Sequence, residues 1–318
     1  MVQMYHSCIY SALMVKQASL ELGNTHVSNV IAFARHETFH PRFGWLKKGF
    51  DRAARHPGIF REDDAPVRLG VGKNMVRSIR YWCNAFKILE ADQATDFGDA
   101  LLGADGWDTY LEDPASLWLL HWYLLQPPCY ASAWDFAFNY FHRTEFTVED
   151  LFYELCDYRD RISTRTADSS IKKDVSCLIR MYAKQPTKAS VSEDSLDCPF
   201  VALGLIHTAG DARHYTFRIG HKRNLPAEII VYASLCHAAR VSETARSIPI
   251  ASLLYDVGGP GLIFKLTETA QGNAFEQVAR RFDAVTLSDA AGKLQVGFTQ
   301  APLDLAQDVL ASYYHSAR

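Results

Sequence analysis

The cysteines of this chain lack the pairing patterns of zinc ribbons and disulfide scaffolds. Seven cysteines are scattered through 318 residues, at positions 8, 83, 129, 156, 177, 198 and 236, and none belongs to a C-x-x-C pair. An odd number of separated thiols argues against a disulfide framework and is typical of a reducing compartment. We therefore predict a cytoplasmic protein in which most cysteines are small core residues.

A long apolar run is also missing. A membrane-spanning helix needs roughly 18 apolar residues, whereas the longest candidate, Leu117 to Leu125, contains His121 and is followed by Pro127 and Pro128. A signal peptide has Lys or Arg before its apolar part, and the N-terminus of this chain has neither there. We predict no membrane partner, and we interpret residues 1-30 as a tail or an extra helix.

The charge is small overall but unevenly distributed. The formal net charge is −3, yet residues 35–90 carry 12 basic and 6 acidic side chains. Residues 91–160 carry 2 basic and 14 acidic side chains, and residues 161–190 carry 7 basic and 2 acidic ones. Phosphate binding depends on the local field, so basic blocks favour nucleic-acid surfaces. An acidic block that merely keeps one domain solvated is the alternative.

Apolar periodicity predicts a helix-turn-helix in the first basic block. Phe43 to Ala54 is predicted as a helix, Glu62 to Val71 as a short helix and Lys73 to Leu89 as a long helix, with Gly72 at the turn. Helix, short helix, turn and long helix is the order of a helix-turn-helix. We assign this DNA-binding domain to residues 31-127.

The rest of the chain is predicted to hold two further domains. Residues 128-190 form a helical domain with a second basic helix, Ser169 to Lys184, and residues 185–197 form a polar linker. Residues 198-318 follow the order helix, helix, hairpin, which is typical of a winged helix, with a hairpin over Phe282 to Phe298. The predicted fold class is mainly α with short β hairpins (α+β), built from helix-turn-helix and winged-helix-like modules.

The long helix is predicted to present one basic face. Lys73, Arg77, Arg80, Asn84 and Lys87 recur at spacings of four and three, opposite an apolar face, and no carboxylate interrupts them. A solvated helix usually mixes signs, because Glu–Lys pairs stabilise it. A face of one sign favours a polyanion, and Arg suits bidentate contacts with phosphate. The predicted DNA-binding residues are Arg42, Lys47, Lys48, Lys73, Asn74, Arg77, Arg80 and Lys87.

Just before these helices the chain reads His36-Glu37-Thr38-Phe39-His40, which matches the zinc-protease pattern H-E-x-x-H. That motif needs a helix, where its two histidines share one face. Pro41 pushes the residue before it out of the helical region. We therefore predict a non-helical segment and no zinc-protease site.

The segments ARHETFHPRFGWLKKGFD (34–51) and REDDAPVRLGVGKNMVRSIRYWCNAFKILE (61–90) resemble the SspB-type DNA-nicking family of the Ssp DNA phosphorothioation defence system. The resemblance implies a protein that nicks one strand of duplex DNA. It also implies a cysteine desulfurase, an ATPase and an ATP pyrophosphatase as partners. A homodimer is an open alternative to a monomer.

The residues before the basic helix are our candidates for the chemistry. Arg35, His36 and Glu37 would lie nearest the cleaved phosphate, with Glu37 as ligand of a divalent metal, Mg or Mn. In the structural alternative, Glu37 pairs with Arg35 or Arg42 and His36 is only a hydrogen-bonding residue. The functional alternative is a non-catalytic, sequence-reading DNA-binding adaptor or transcriptional regulator of the same system.

Overall fold

The computed structural model describes residues 30–162, 165–184, 198–210, 213–290 and 292–316. Almost all of the predicted N-terminal tail and the whole of the predicted linker at 185–197 lie outside the described residues. Within the described part, no helix is both long and apolar enough to cross a bilayer.

The predicted order of elements in the first basic block is confirmed. The elements are α1 (Trp45–Arg55), a 3-10 turn (Ile59–Arg61), α2 (Ala65–Leu69), α3 (Lys73–Ala85), β1 (Leu89–Glu90), β2 (Gln93–Ala94) and α4 (Asp96–Leu102). Helix α3 ends at Ala85 instead of Leu89, because the chain turns at Lys87, whose φ is 60°. Thr95 then accepts a hydrogen bond from the Gly98 amide and caps α4.

Helices α1 and α3 approach each other closely at Gly49. A Cβ at this position would lie 2.5 Å from Cys83 Sγ and 2.8 Å from Ile79 Cγ2. Cys83 and Ile79 belong to the predicted apolar face of α3, and both are buried. Because Gly49 has no side chain, α1 can pack directly against Cys83 and Ile79 of α3. The basic face of α3 therefore stays on the outside.

Strands β1 and β2 form a tight hairpin after α3. Glu90 pairs with Gln93, so Ala91 and Asp92 are the two central turn residues. Their φ angles, 48° and 70°, are those of a type I′ turn, which usually contains Asn-Gly. Two non-glycine residues in this conformation are strained, and the contacts of Asp92 described below hold the turn in place.

The middle of the chain is mainly helical and deeply buried. Its elements are α5 (Pro114–Leu124), α6 (Ser132–Asp135) with a π turn (Phe136–Tyr140), β3 (Glu145–Thr147), α7 (Val148–Arg161) and α8 (Asp168–Tyr182). Helix α5 is apolar all round, as expected for a core helix. Its polar His121 is satisfied by Tyr182 Oη at 2.8 Å and Ile263 O at 3.0 Å.

The last part contains more helix than predicted. Its elements are a 3-10 turn (Pro199–Leu203), β4 (Ile206–Thr208), β5 (His214–Phe217), α9 (Ala227–Val241), β6 (Ser247–Pro249), α10 (Ile250–Tyr255), α11 (Pro260–Phe264), α12 (Glu268–Ala279), β7 (Val285–Ala290), β8 (Lys293–Phe298) and α13 (Pro302–Ser316). The hairpin predicted over residues 282–298 is present as β7 and β8. Helix α12 was not predicted.

Two three-stranded antiparallel sheets connect distant parts of the chain. Their strand orders are β3-β5-β4 and β6-β8-β7. Strand β3 lies in the unit predicted at 128-190, whereas β5 lies in the unit predicted at 198-318, so the first sheet spans that boundary. Buried apolar residues form a continuous core from Phe33 to Tyr314. The α+β class is therefore confirmed, and the domain boundaries stay a prediction.

Candidate nucleic-acid interface

Helix α3 separates an apolar side from a polar one. Val76, Ile79 and Cys83 are buried, whereas Lys73 and Arg77 are exposed. The side chain of Arg80 is 38% exposed, so it lies at the margin of the core. The amphipathic face predicted from the spacing is therefore present over residues 73–84.

An open cleft of about 610 Å³ runs along this polar side. We call it the arginine cleft; its polar lining residues are Arg35, Glu37, Arg61, Arg77, Arg80, Tyr81, Asn84 and Asp92. The structure thus brings together two of the three candidate catalytic residues, Arg35 and Glu37, and two of the predicted DNA-binding residues, Arg77 and Arg80. Four arginines share this space with two carboxylates, so the cleft is electropositive.

Carboxylates from outside the helix meet its arginines. Arg80 binds Asp92 through two hydrogen bonds, of 2.6 and 2.7 Å, and Arg61 approaches the same carboxylate at 3.2 Å. Arg77 Nη1 lies 3.6 Å from Glu37 Oε1. The sequence of α3 places no carboxylate on its basic face, but the fold brings Asp92 and Glu37 to that face from other segments. Glu37 has a different partner from the Arg35 or Arg42 that the structural alternative considered.

The segment that carries Glu37 is a strained turn. Ala34, Glu37 and Thr38 have φ angles of 54°, 51° and 69°, a conformation that costs energy for residues with a Cβ. Contacts with α8 hold it: both Asp174 oxygens accept from the Ala34 amide, at 2.9 and 3.0 Å, and Arg180 donates to Thr38 O at 2.7 Å. Such strain persists only where neighbouring contacts over-determine the backbone.

His36 is buried beneath this turn and does not line the arginine cleft. Its side chain has no exposed surface, and Nε2 lies 2.7 Å from Asp174 Oδ1. Its ring stacks on Trp82 and meets Trp134 edge-on. The prediction that His36 lies nearest a scissile phosphate is therefore corrected. Its hydrogen bond turns the imidazole toward the core, as the structural alternative required.

The other histidine of the H-E-x-x-H match is also buried. His40 is 6% exposed. Residues 34–38 form a turn and not a helix, as Pro41 predicted, and the next helix begins only at Trp45. The two histidines therefore do not share a helical face, which a zinc-protease motif requires.

Other predicted DNA-binding residues line a second open groove, at the start of α3. This groove has a volume of about 870 Å³ and is lined by Arg42, Phe43, Lys48, Lys73 and Asn74, among others. We call it the Phe43 groove, after an aromatic side chain that is 71% exposed. Helix α3 begins here with no acidic residue in its first turn, so the positive end of its dipole is not offset locally.

Lys47 and Lys87 line neither the arginine cleft nor the Phe43 groove. Lys47 Nζ donates to Asp51 on α1 at 2.7 Å and to Leu102 O at the end of α4 at 3.0 Å. Lys87 lies beyond the end of α3, and its Nζ is 5.5 Å from the centroid of the Tyr130 ring. Burial lowers the pKa of this lysine to about 8. The predicted helix was too long by one turn, which is why the spacing placed Lys87 on the basic face.

The prediction missed Arg61, Tyr81 and Asp92 as parts of the site. Arg61 lies in a short 3-10 turn without helical periodicity, and Asp92 lies in the acidic block after α3. Tyr81 is on α3 itself, and its hydroxyl donates to Tyr130 O at 3.1 Å. Only the basic block around Arg61 was a usable signal in the sequence.

The cleft offers few ligands for a metal. In the part of the chain that the structure describes, no group of three His, Cys, Asp or Glu residues is placed to hold an ion. Asp92 is engaged by two arginines, which leaves Glu37, whose one ion pair in the described ranges is the 3.6 Å contact with Arg77. Mg²⁺ commonly uses one or two protein carboxylates together with substrate phosphates. Glu37 fits that shared mode of binding but not a closed protein cage.

Comparison with known proteins identifies the family. The model of the family described as "Protein of unknown function (DUF4007)" matches residues 33–314. The chain belongs to this family. Two solved structures, "SspB crystal structure" and "Magnesium ion-bound SspB crystal structure", are each 39% identical to the chain, with a TM-score of 0.85. Each alignment covers 92% of this chain and 90% of the other.

The predicted resemblance to the SspB-type family is therefore confirmed, and it extends over most of this DUF4007 member instead of only residues 35–90. No curated protein matches the chain.

Proposed function

We propose that this chain binds duplex DNA along α3 and nicks one strand as a component of the Ssp phosphorothioation system. The observation that carries the proposal is the arginine cleft, which Arg35, Arg61, Arg77 and Arg80 line together with the carboxylate of Glu37. The similarity to SspB over 92% of the chain supports the link with that system. We propose a cysteine desulfurase, an ATPase and an ATP pyrophosphatase as partners on the same basis.

The cleft suits a phosphodiester, because its arginines are only partly neutralised. The side chains of Arg61 and Arg77 are 67% and 57% exposed, and among the described residues Arg77 makes one weak ion pair, with Glu37. Arg donors match phosphate oxygens in bidentate geometry. A DNA phosphate entering the cleft would replace the Glu37–Arg77 contact and release condensed counterions. Binding should therefore weaken steeply as salt rises.

The Phe43 groove would hold the DNA backbone beside the reacting phosphate. Lys73 and Asn74 are exposed in the first turn of α3, where backbone N–H groups and the helix dipole favour anions. Arg42 and Lys48 line the same groove. Because the groove contains residues 73–75 and the cleft contains Arg77, Arg80 and Asn84, one duplex can meet both along the same helix.

Nicking consists of hydrolysis of one phosphodiester. A water oxygen bonds to phosphorus, one P–O bond breaks, and the leaving oxygen takes up a proton. Arg35 and Arg77 would bind the non-bridging oxygens and offset the charge that grows on them. Glu37 would hold Mg or Mn together with the phosphate, and such an ion would supply positive charge and would lower the pKa of a water molecule bound to it. His36 is a positioning residue, because it acts through the turn that it anchors.

The two sheets favour winged-helix-like modules as further DNA contacts. In both, a strand precedes two or more helices and a hairpin follows, with the last strand in the middle of the sheet: β3-β5-β4 and β6-β8-β7. A winged helix has the same strand order, and in helix-turn-helix proteins the second helix of the pair approaches DNA. Helix α8 carries the second basic segment, and Lys172 and Lys173 on it are exposed. We propose that these modules add phosphate contacts.

A plasmid relaxation assay tests the proposed activity. The full chain with Mg²⁺ or Mn²⁺ should convert supercoiled plasmid to open circles, and Glu37→Gln should remove this activity while leaving DNA affinity within about threefold. Glu243→Gln removes a carboxylate at an exposed position and should leave the activity unchanged. If the wild-type chain never produces open circles with either ion, the proposal of a nickase is wrong.

One observation favours the non-catalytic alternative, a DNA-binding adaptor or regulator. The arginine cleft contains a single available carboxylate, and the described residues hold no ready group of three metal ligands. An adaptor would show salt-sensitive DNA binding that survives Glu37→Gln, with no cleavage at any metal concentration. The same assay, run beside a binding titration, therefore separates the two functions.

A further inference from the structure

A third pocket, of about 360 Å³, adjoins the arginine cleft and has a different character. It lies beside the β1–β2 hairpin, the start of α4 and Pro128. Asn84 and Ala91 line both the pocket and the cleft, so the two spaces meet at these residues. The volume is within the range of small-molecule sites. We call it the Tyr130 pocket.

The walls of the Tyr130 pocket are aromatic. The Lys87 ammonium group lies 5.5 Å from the centroid of the Tyr130 ring. The rings of Phe97 and Tyr123 stack on each other, with their centroids 4.0 Å apart. Phe97 and Tyr123 are 1% and 2% exposed, and the Tyr123 hydroxyl is hydrogen-bonded to Tyr232 Oη at 2.7 Å, so these two rings form the buried floor of the pocket and the half-buried Tyr130 supplies its accessible ring. Aromatic rings together with a cation are the surfaces on which nucleobases stack.

Polar groups at the edge of the pocket suit a base better than a phosphate. Asn84 uses one N–H for Arg80 O at 2.8 Å, and within the part of the chain that the structure describes its second N–H and its Oδ1 are open to another partner. Glu90, Gln93 and Asp96 also line the pocket. Amide and carboxylate groups pair with base edges. The pocket carries one lysine against two carboxylates, whereas the cleft carries four arginines against two, so a phosphate would favour the cleft.

We infer that the Tyr130 pocket accepts one unpaired DNA base, extruded from the duplex next to the phosphate held in the arginine cleft. This inference rests on the proposed DNA binding. A base rotated out of the stack leaves its own phosphate on the backbone, and the shared residue Asn84 lies where base and phosphate sites meet. The hydrogen bond from Tyr81 Oη to Tyr130 O also connects a residue that lines the cleft with a residue that lines the pocket.

The test compares two duplexes of the same sequence with the full-length protein. One is fully paired, and the other carries 2-aminopurine opposite an abasic site, so that the base is already unpaired. The wild type should bind the second duplex roughly tenfold more tightly, because the cost of extrusion is already met and the base gains a stacking surface. The fluorescence of 2-aminopurine should change when it enters the pocket.

Substitutions at Tyr130 assign the preference to the pocket. Tyr130→Leu should reduce the preference to less than about threefold while the paired duplex still binds, and Tyr130→Phe should retain it, because the ring remains. Tyr153→Leu changes a tyrosine that is 64% exposed on α7 and should have no effect. If Tyr130→Leu does not fold, Gln93→Ala on the exposed hairpin should weaken the preference instead.

Each other outcome overturns a defined part of the argument. Equal affinity of the wild type for the two duplexes overturns the base pocket and leaves DNA binding intact. Failure to bind either duplex overturns the proposed function and the inference together. Saturation by free 2-aminopurine deoxyriboside without DNA, lost in Tyr130→Leu, would identify a free nucleoside as the ligand and overturn the assignment to a DNA base.

Discussion

His36 Nε2 lies 2.7 Å from Asp174 Oδ1, although the two residues are 138 positions apart and neither side chain is open to solvent. Burial raises the pKa of Asp174, and the hydrogen bond from His36 acts in the opposite direction. The same carboxylate receives the Ala34 amide. Asp174 of α8 therefore anchors the strained turn at both Ala34 and His36, and Arg35 and Glu37 on this turn line the cleft.

Asp174→Ala should destabilise the protein by about 3 kcal/mol, because His36 and the Ala34 amide would be buried without their acceptor. Urea unfolding measures this loss as a lower midpoint with an unchanged slope. Lys173→Ala on the exposed side of the same helix should change stability by less than about 0.5 kcal/mol. Equal changes in unfolding free energy for the two substitutions would show that the hydrogen bonds of Asp174 to His36 and Ala34 do not stabilise the fold.

Asp92→Asn should strengthen DNA binding, because it removes the charge that neutralises Arg61 and Arg80. We expect about threefold tighter binding at low salt, together with a loss of stability of about 1–2 kcal/mol from the weakened anchor of the hairpin. Asp283→Asn makes the same charge change at an exposed site and controls for net charge. Weaker DNA binding by Asp92→Asn would contradict the role of Asp92 as a counter-charge.

Arg77→Ala should weaken binding to all DNA sequences and reduce the slope of log affinity against log salt by about one. Arg77 is exposed, and its one ion pair within the described part of the chain is the 3.6 Å contact with Glu37, so its loss should not alter folding. Arg223→Ala, at an exposed position between β5 and α9, provides the control. An unchanged salt slope in Arg77→Ala would mean that DNA does not meet this face of α3.

Gly49→Ala should cost about 1–3 kcal/mol, since a Cβ there would overlap Cys83 and Ile79 and push α1 away from α3. Gly272→Ala is the matched control, because no atom lies within 4 Å of a Cβ at that helical glycine. There the better helix propensity of Ala should stabilise the protein slightly. Thermal unfolding of the two variants gives opposite signs if the close contact is correct.

Lys265 should make stability depend on pH in the alkaline range. Burial lowers its pKa from 10.5 to about 7, and its Nζ donates to Phe138 O at 2.9 Å. Between these pH values the unfolded chain binds more protons than the folded one, so this lysine makes the free energy of unfolding rise with pH, by up to about 1.4 kcal/mol per unit. Lys265→Met should make the rise shallower, leaving the shares of Lys222 and Lys87, whose pKa values burial also lowers, to about 7 and about 8, whereas Lys293→Met, at an exposed site, should keep the whole rise. Parallel curves for wild type and Lys265→Met would refute the assignment.

Helical spacing alone determined the first part of the site. A repeat of four and three residues places Val76, Ile79 and Cys83 on one side and Lys73, Arg77 and Arg80 on the other, because the geometry of a helix depends only on its own residues. The order of α1, α2 and α3 and the non-helical turn before Pro41 are local for the same reason, and all were predicted correctly.

Only the tertiary structure decided which charges face each other. Asp92 reaches Arg80 because a hairpin folds back over α3, and Asp174 reaches His36 because α8 packs beneath the turn. Neither partner leaves a periodic signal near its target, since ion pairs between distant segments depend on chain path and not on spacing. The predicted basic face is therefore one wall of a cleft that also contains carboxylates. Of the neighbours His36 and Glu37, the buried His36 supports the turn and Glu37 lines the cleft.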